Sequence, residues 1–212
     1  MPDPALVIIA RAPELGRVKT RLAAGIGDAR ALLVYRQLLE VVSVAQAAWT
    51  GPVLLTTTGD AAAWAGTRLG HLLRRPQATG GLGSRIAAAL QWGLDAAGSA
   101  IAIGTDCPAL RHTHLQHLAT LLATAPVAFG PAKDGGYWGV AVSDQRAIPI
   151  IADDAMPWST PDILKVSRQR LEHAGIPHGT GDTLADCDDA DDLEAAVTAG
   201  FLSWPSHREV RS

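Results

Sequence analysis

Short apolar runs alternate along this chain with longer stretches in which apolar residues recur every three or four positions. That alternation is the first structural signal. Residues 5–10 (ALVIIA) are continuously apolar and rich in β-branched side chains, the pattern of a strand buried on both faces. A loop is expected from 11 to about 27. Asp28 is an N-cap candidate for a long helix to about 49, with Leu32, Leu39 and Val42 on one stripe. Gly51-Pro52 marks a turn before a second strand at 53–57, and 60–70 suits a short helix before a third strand at 71–74. Gly80-Gly81-Leu82-Gly83 opens a helix to about 97, in which Ile86, Leu90 and Leu94 lie four residues apart. Residues 100–104 form the next buried strand and end at Thr105-Asp106. A helix at 115–123 and strands at 127–130 and 137–142 follow. Thr160 fits an N-cap and Pro161 the first position of another helix. The acidic segment 182–194 leads into a last helix to about 199. Residues 201–212 have no period and read as a tail to a single domain of residues 1–200.

Strands that alternate with helices imply an α/β fold: three layers, a Rossmann-like, mostly parallel sheet with helices on both faces. In such sheets ligands bind beyond the C-terminal ends of the strands. Composition narrows the rest. Of the 212 residues, 48% are hydrophobic and 18% charged, which excludes a disordered or coiled-coil chain. The apolar runs are too short to span a bilayer, and no basic stretch followed by an apolar one opens the sequence. Two cysteines, Cys107 and Cys187, make a disulfide framework unexpected and a cytoplasmic location the expectation. The net charge of −3 argues against a nucleic-acid partner. Its distribution is more informative. Residues 1–110 hold ten Lys/Arg against seven Asp/Glu, while 111–212 hold eight against fourteen. Cations from early loops could therefore face carboxylates from later ones, as a phosphate ligand with a divalent metal requires.

Five segments carry candidate chemistry. Residues 11–21 (RAPELGRVKTR) place Arg11, Arg17, Lys19 and Arg21 against Glu14 alone, directly after the first strand. The spacing is neither a Walker A loop nor a dinucleotide fingerprint. Only three of the 18 basic residues are lysines, and a compact ammonium at position 19 suits a phosphate oxygen. Alternatively the loop is simply a solvated basic one. Residues 80–85 (GGLGSR) could let a ligand approach the amide groups of a helix N-terminus, or could form only a tight turn. Asp106 ends a buried strand, where a carboxylate without a partner is costly, and Asp with phosphate oxygens and waters is a usual Mg²⁺ shell. Residues 130–138 (GPAKDGGYW) offer Asp134, two glycines and the flat faces of Tyr137 and Trp138, or a hairpin turn. Residues 186–193 (DCDDADDL) concentrate carboxylates, of which Asp189, Asp191 and Asp192 read as helix-capping. His112 and His114 do not share a helix face, and with His117 they read as solvated rather than as zinc ligands.

Taken in order, RAPELGRVKTRL, GGLGSRI, IGTDCPAL, GPAKDGGYWGV, PWST and DCDDADDL resemble the glycosyltransferase-A type nucleotide-diphospho-sugar transferase superfamily. The likeness is to a bacterial, radical-SAM-associated branch related to phospholactate guanylyltransferases and molybdenum-cofactor nucleotidyltransferases. It runs from about residue 6 to 193. The resemblance implies that the loop of Ala12, Pro13, Gly16, Lys19 and Arg21 wraps nucleotide phosphates, with Lys19 also acting in catalysis. It implies that Gly81, Leu82, Gly83 and Arg85 lie by the base and ribose, and that Asp106 holds Mg²⁺ or Mn²⁺. Asp188 occupies the position of a second metal carboxylate, although Asp189 and Ala190 stand where Thr-Pro is usual. Asp134 would act as base or orient the acceptor. The expected function is metal-dependent transfer from a nucleotide-sugar or a nucleoside triphosphate to a small-molecule acceptor, with a homodimer allowed and no membrane partner. A nucleotide-binding module without turnover, and a phosphatase, are the alternatives.

Overall fold

A computed structural model describes residues 3–206. Seven strands form one sheet: β1 (Ala5–Arg11), β2 (Val53–Thr58), β3 (Leu73–Pro76), β4 (Ala100–Ile103), β5 (Val127–Pro131), β6 (Tyr137–Val142) and β7 (His178–Thr180), in the order β3-β2-β1-β4-β6-β5-β7. Around it pack α1 (Thr20–Ile26), α2 (Asp28–Gln46), α3 (Leu82–Ala97), α4 (His112–Leu121), α5 (Ile148–Ile151), α6 (Ile163–His173) and α7 (Ala190–Thr198).

The alternation of side chains along β1 builds the layers. Leu6 and Ile8 enter a core with Tyr35, Leu39 and Val42 of α2 and with Leu115 and Leu118 of α4. Val7 points the other way, to Ile86 and Leu90 of α3, Ile148 of α5 and Leu164 and Leu171 of α6. Because both faces are covered, the strand reads as one apolar run. Ile8 pairs in parallel with Leu55 of β2 and with Ile103 of β4. A third core joins Leu22 of α1, Val34 and Leu38 of α2, and Leu193 and Ala196 of α7. This small core links the first cationic segment to the last acidic one.

The sheet is parallel except at β6, which pairs antiparallel with β4 and β5. The short loop 132–136 between β5 and β6 permits no crossover, so only a hairpin is available. Several elements differ from the expectation. The stretch 11–27 is not all loop, because α1 forms within it. A seven-residue helix is too short to show a periodic stripe. Gly27, with φ of 87°, separates α1 from α2, so Asp28 is the first residue of α2 and not its N-cap. The third strand sits two residues later than expected, because all four residues of β3 are exposed and show no alternation. The helix expected at 160 begins at Ile163. Thr160 Oγ1 donates to the Pro157 carbonyl (2.8 Å) within a turn, and the Leu164 amide donates to the carbonyl of Gly135 (3.3 Å). The short α5 and β7 are additions to the expected elements. In the expected tail, Leu202 is buried in the third core and the Ser203 amide donates to Gln37 Oε1 at 2.9 Å. The rest of that tail, 207–212, lies outside the described residues.

Candidate functional site

β1 delivers Arg11 to the C-terminal edge of the sheet, and α2 fixes the chain there. The Tyr35 hydroxyl donates to the Arg11 carbonyl (2.8 Å) and accepts from the Arg11 amide (3.2 Å). Burial pushes this phenol up to about 12, so it stays neutral and can serve both bonds. The chain then turns through Gly16 (φ 70°) and reaches Lys19, a non-glycine residue in the left-handed region (φ 48°, ψ 47°) at the start of α1. Such a conformation persists only where surrounding structure imposes it.

The surroundings of Lys19 are explicit. Its side chain is only 5% exposed, and its ammonium donates to Asp106 and, at 2.9 Å, to Asp188 Oδ1. Arg21 donates to the other oxygen of Asp188. Burial alone would lower the Lys19 pKa, but the two carboxylates outweigh it and hold the ammonium well above the ordinary lysine value. For Asp188, burial favours the neutral acid, and the charges of Lys19 and Arg21 overcome it, so its carboxyl lies below the usual range.

Asp106 follows β4 after Gly104 and Thr105, so it lies beyond the strand end and its side chain is 51% exposed. Its carbonyl accepts the Cys187 amide at 2.9 Å. That bond brings a segment about 80 residues downstream alongside β4. The acidic run then divides by role. Asp189 caps α7, its Oδ1 accepting the Asp192 amide (3.0 Å), and Asp192 Oδ2 accepts the amides of Asp188 (2.9 Å) and Asp189 (3.3 Å). With its backbone held in this way, Asp188 presents its carboxylate to Lys19.

Two adjoining cavities open at this edge. The first, ≈ 510 Å³, is lined by Arg11, Arg17, Lys19, Arg21 and Arg85 against Asp106 and Asp188, together with Tyr35, Gln77, Leu82, Thr105 and Ser159. Ser159, like Lys19, is left-handed (φ 61°). Gln77 ties the strand ends together: Nε2 donates to the carbonyls of Ala10 (2.9 Å) and Thr56 (3.2 Å). The Arg85 Nε is buried without a hydrogen-bond partner. The second cavity, ≈ 300 Å³, shares Arg21, Leu82, Asp106, Ser159 and Asp188 with the first and adds Asp134, Asp186, Tyr137, Trp138 and Trp158. Asp134 Oδ1 accepts the Gly136 amide (2.8 Å), so this loop is a turn as well as a wall. Burial, with Asp134 and Asp188 nearby, pushes the Asp186 carboxyl up.

Of the residues singled out in the sequence, Lys19, Arg21, Leu82, Arg85, Asp106 and Asp188 line the first cavity, and Asp134 lines the second. Ala12, Pro13, Gly16, Gly81 and Gly83 line neither. The glycines at the start of α3 serve a different contact. Asp154 accepts the amides of Gly81 (3.1 Å) and Ser84 (2.8 Å) and the Ser84 hydroxyl, and these bonds hold its carboxyl below the usual range. A Cβ at Gly83 would lie 2.7 Å from the backbone of Asp153. An internal carboxylate thus occupies this helix N-terminus, for which the sequence allowed either a ligand-facing loop or a tight turn. Sequence reasoning missed Gln77 and Asp154, while Ser159 and Asp186 lay in segments it singled out without a role of their own. Gln77 and Asp154 act through tertiary contacts that leave no local pattern. Among the histidines, His112 contacts the Ala45 carbonyl, His114 the Arg111 amide and His117 Asp182.

The fitness of the carboxylate pair as a metal site turns on its donor chemistry. Among the described residues no group of three or more His, Cys, Asp or Glu forms a cage. Asp106 and Asp188 do converge on one cation, the Lys19 ammonium, beside a cavity rich in basic residues. Mg²⁺ commonly takes one or two carboxylates and completes its shell with water and phosphate oxygens, so this donor set fits.

Solved structures share the fold. A protein from Desulfovibrio desulfuricans G20, assigned as a nucleotide-diphospho-sugar transferase, superimposes with a TM-score of 0.83 at 23% identity, over 100% of this chain and 95% of its own. The 2-C-methyl-D-erythritol 4-phosphate cytidylyltransferase from Thermus thermophilus does so with a TM-score of 0.58 at 12% identity, over 95% and 100%. CMP:2-keto-3-deoxy-manno-octonic acid synthetase, solved with CTP, gives 0.56 at 15% identity, over 94% and 100%. No curated protein matches the sequence. A family model described as "Uncharacterized protein conserved in bacteria (DUF2064)" matches residues 41–160. That span holds Asp106 and Asp134 but neither Lys19 nor Asp188.

Proposed function

We propose that this chain, which belongs to the family of uncharacterized proteins conserved in bacteria known as DUF2064, is a transferase that takes a nucleotide substrate and acts with Mg²⁺ or Mn²⁺. One observation carries the reading: a buried lysine, held in a left-handed backbone conformation, meets two carboxylates from distant segments beside a basic cavity at the strand ends. The shared fold with a CTP-bound synthetase and with a cytidylyltransferase supports it.

Lys19, Arg21 and the neighbouring Arg11, Arg17 and Arg85 bind the phosphates, whose charge calls for several cations in one place. Asp106 and Asp188 hold the divalent ion, which when bound neutralises charge on the phosphate oxygens. Lys19 shares those carboxylates and so keeps them oriented before substrate arrives. Asp134 lines the adjoining cavity, within reach of an acceptor placed there, and takes the acceptor proton. Much of the rate comes from positioning and from cations facing the departing phosphate. Two reactions use this arrangement. An acceptor attacks the sugar carbon of a nucleotide-sugar and releases a nucleoside diphosphate, or it attacks the α-phosphorus of a triphosphate and releases pyrophosphate.

The test is a melting-temperature panel of nucleoside triphosphates and nucleotide-sugars, each with and without Mg²⁺ or Mn²⁺. Binding at about 100 times the dissociation constant adds roughly 2.7 kcal/mol of stability. The expected result is a rise with at least one nucleotide that is larger with metal, the metal-dependent part being lost in Asp106→Asn. A panel in which no nucleotide shifts the transition would overturn the assignment. A shift without product under any metal would identify a binding module.

A further inference from the structure

The two cavities share an edge but have opposite charge. The first is lined by five basic residues against two acidic ones. The second carries four carboxylates, Asp106, Asp134, Asp186 and Asp188, against the single cation Arg21, which is already paired with Asp188. Even with a divalent ion on Asp106 and Asp188, Asp134 and Asp186 remain. A phosphate or carboxylate entering here meets more carboxylates than cations, and the one lining cation, Arg21, is already engaged by Asp188.

The same cavity has apolar faces whose polar ends are committed elsewhere. Trp158 Nε1 donates to the Asp153 carbonyl (2.8 Å) and Trp138 Nε1 to the Asp182 carbonyl (2.9 Å), so both rings offer carbon surface. Tyr137 completes this wall, its ring centroid 5.3 Å from that of Phe129 and 6.3 Å from that of Trp158. Its hydroxyl is buried and has no hydrogen-bond partner. Carboxylates accept hydrogen bonds from hydroxyls, and aromatic faces pack against the C–H faces of saturated rings.

We infer that the second cavity is the acceptor subsite, that it takes an uncharged ring bearing hydroxyl groups, and that it rejects acceptors carrying phosphate or carboxylate. This inference rests on the nucleotide-transferase reading and specifies its second substrate. In the step it implies, an acceptor hydroxyl oxygen forms a bond to the electrophilic centre of the bound nucleotide. The bond from that centre to the departing phosphate oxygen breaks and its electron pair leaves on that oxygen. The hydroxyl proton passes to Asp134. The attacking group is then a hydroxyl and not a phosphate.

The experiment first saturates the protein with whichever nucleotide raises its melting temperature in Mg²⁺; failure at that stage refutes the nucleotide reading, and with it this one. Calorimetric titrations and tryptophan fluorescence then compare charge-matched probes: glucose with glucose 6-phosphate and glucuronate, and myo-inositol with its 1-phosphate. At least one neutral ring is expected to bind and to perturb the tryptophan signal, with its charged partner at least tenfold weaker. Asp134→Asn with Asp186→Asn should narrow that ratio. Tyr137→Phe keeps the ring packing and removes only a hydroxyl closed to solvent, so it should leave the melting temperature of the free protein unchanged or raised and the preference for the neutral ring intact. Equal or tighter binding by the charged partners, or no binding by any neutral ring to the nucleotide-loaded protein, would overturn the inference.

Discussion

Lys19 combines features that are each unfavourable alone: a left-handed backbone without glycine, and an ammonium withdrawn from water. Asp106 and Asp188 make the charge tolerable, and they repel each other when it is gone. Lys19→Met, which keeps the apolar stem, should therefore destabilise the protein by about 2 kcal/mol. This is less than a fully buried pair would lose, because Asp106 is half exposed. Millimolar Mg²⁺ should recover more stability in this variant than in the wild type, since it supplies the missing charge to the same carboxylates. Urea unfolding with and without Mg²⁺ measures both effects. Equal Mg²⁺ responses would show that the pair does not hold the ion. The two cysteines illustrate the opposite case. Burial pushes the Cys187 thiol up to about 11, and burial together with the Asp106 charge pushes Cys107 higher, so neither is a thiolate near neutrality.

The elements matter through what they carry to the strand ends. Helix α1 is only seven residues long, too short to be stable in isolation. It exists because Leu22 is fully buried between α2 and α7. Lys19 immediately precedes this helix and Arg21 lies within it, so its docking sets the basic side of the first cavity. Leu22→Ala should cost about 2–5 kcal/mol and also weaken nucleotide binding, although Leu22 does not line the cavity. Denaturant unfolding and nucleotide titration on one preparation test this. Loss of stability with unchanged affinity would show that α1 stays in place without its anchor. The start of α3 carries a parallel lesson. A run of glycines before a helix suggests an open anion site, but here Asp154 caps it and Gly83 admits the Asp153 backbone at close range. Glycine allows close approach, and its partner can be the protein's own chain.

At the scale of the whole molecule, charge is segregated along the chain and brought together again by the fold. Basic residues of the first half face Asp106 of the same half and Asp188 of the second across one edge of the sheet. The pH dependence follows with a definite sign. Asp188 has a folded-state pKa below its ordinary value of 3.8, so its contribution is present above that value and is lost as pH falls through the folded pKa. Lys19 has a folded-state pKa above its ordinary 10.5, so its contribution is complete below that and is lost as pH rises further. Stability should therefore be flat with respect to this pair from about pH 5 to pH 10 and fall on either side. Asp188→Asn should flatten the acid limb of a plot of urea midpoint against pH. An unchanged acid limb would place the responsible carboxylate elsewhere.

The apolar runs, the three layers and the candidate charges at positions 19 and 106 are legible in the order of residues. Those features are local: β1 and β4 are apolar on both faces because both faces are covered, and Lys19 and Asp106 stand out as charges after buried strands, whereas Asp188 is marked within its acidic run only by the resemblance. Short or exposed elements such as α1, α5, β3 and β7 are illegible or displaced, because a few residues, or a strand without a buried face, show no period. The meeting of Asp188 with Asp106 depends instead on the folded chain, through one backbone bond from Cys187. So do the filling of the α3 start by Asp154 and the placing of a basic cavity beside an acidic one. Proximity between residues far apart in sequence is set by how layers stack, and no periodicity along a single chain encodes that distance.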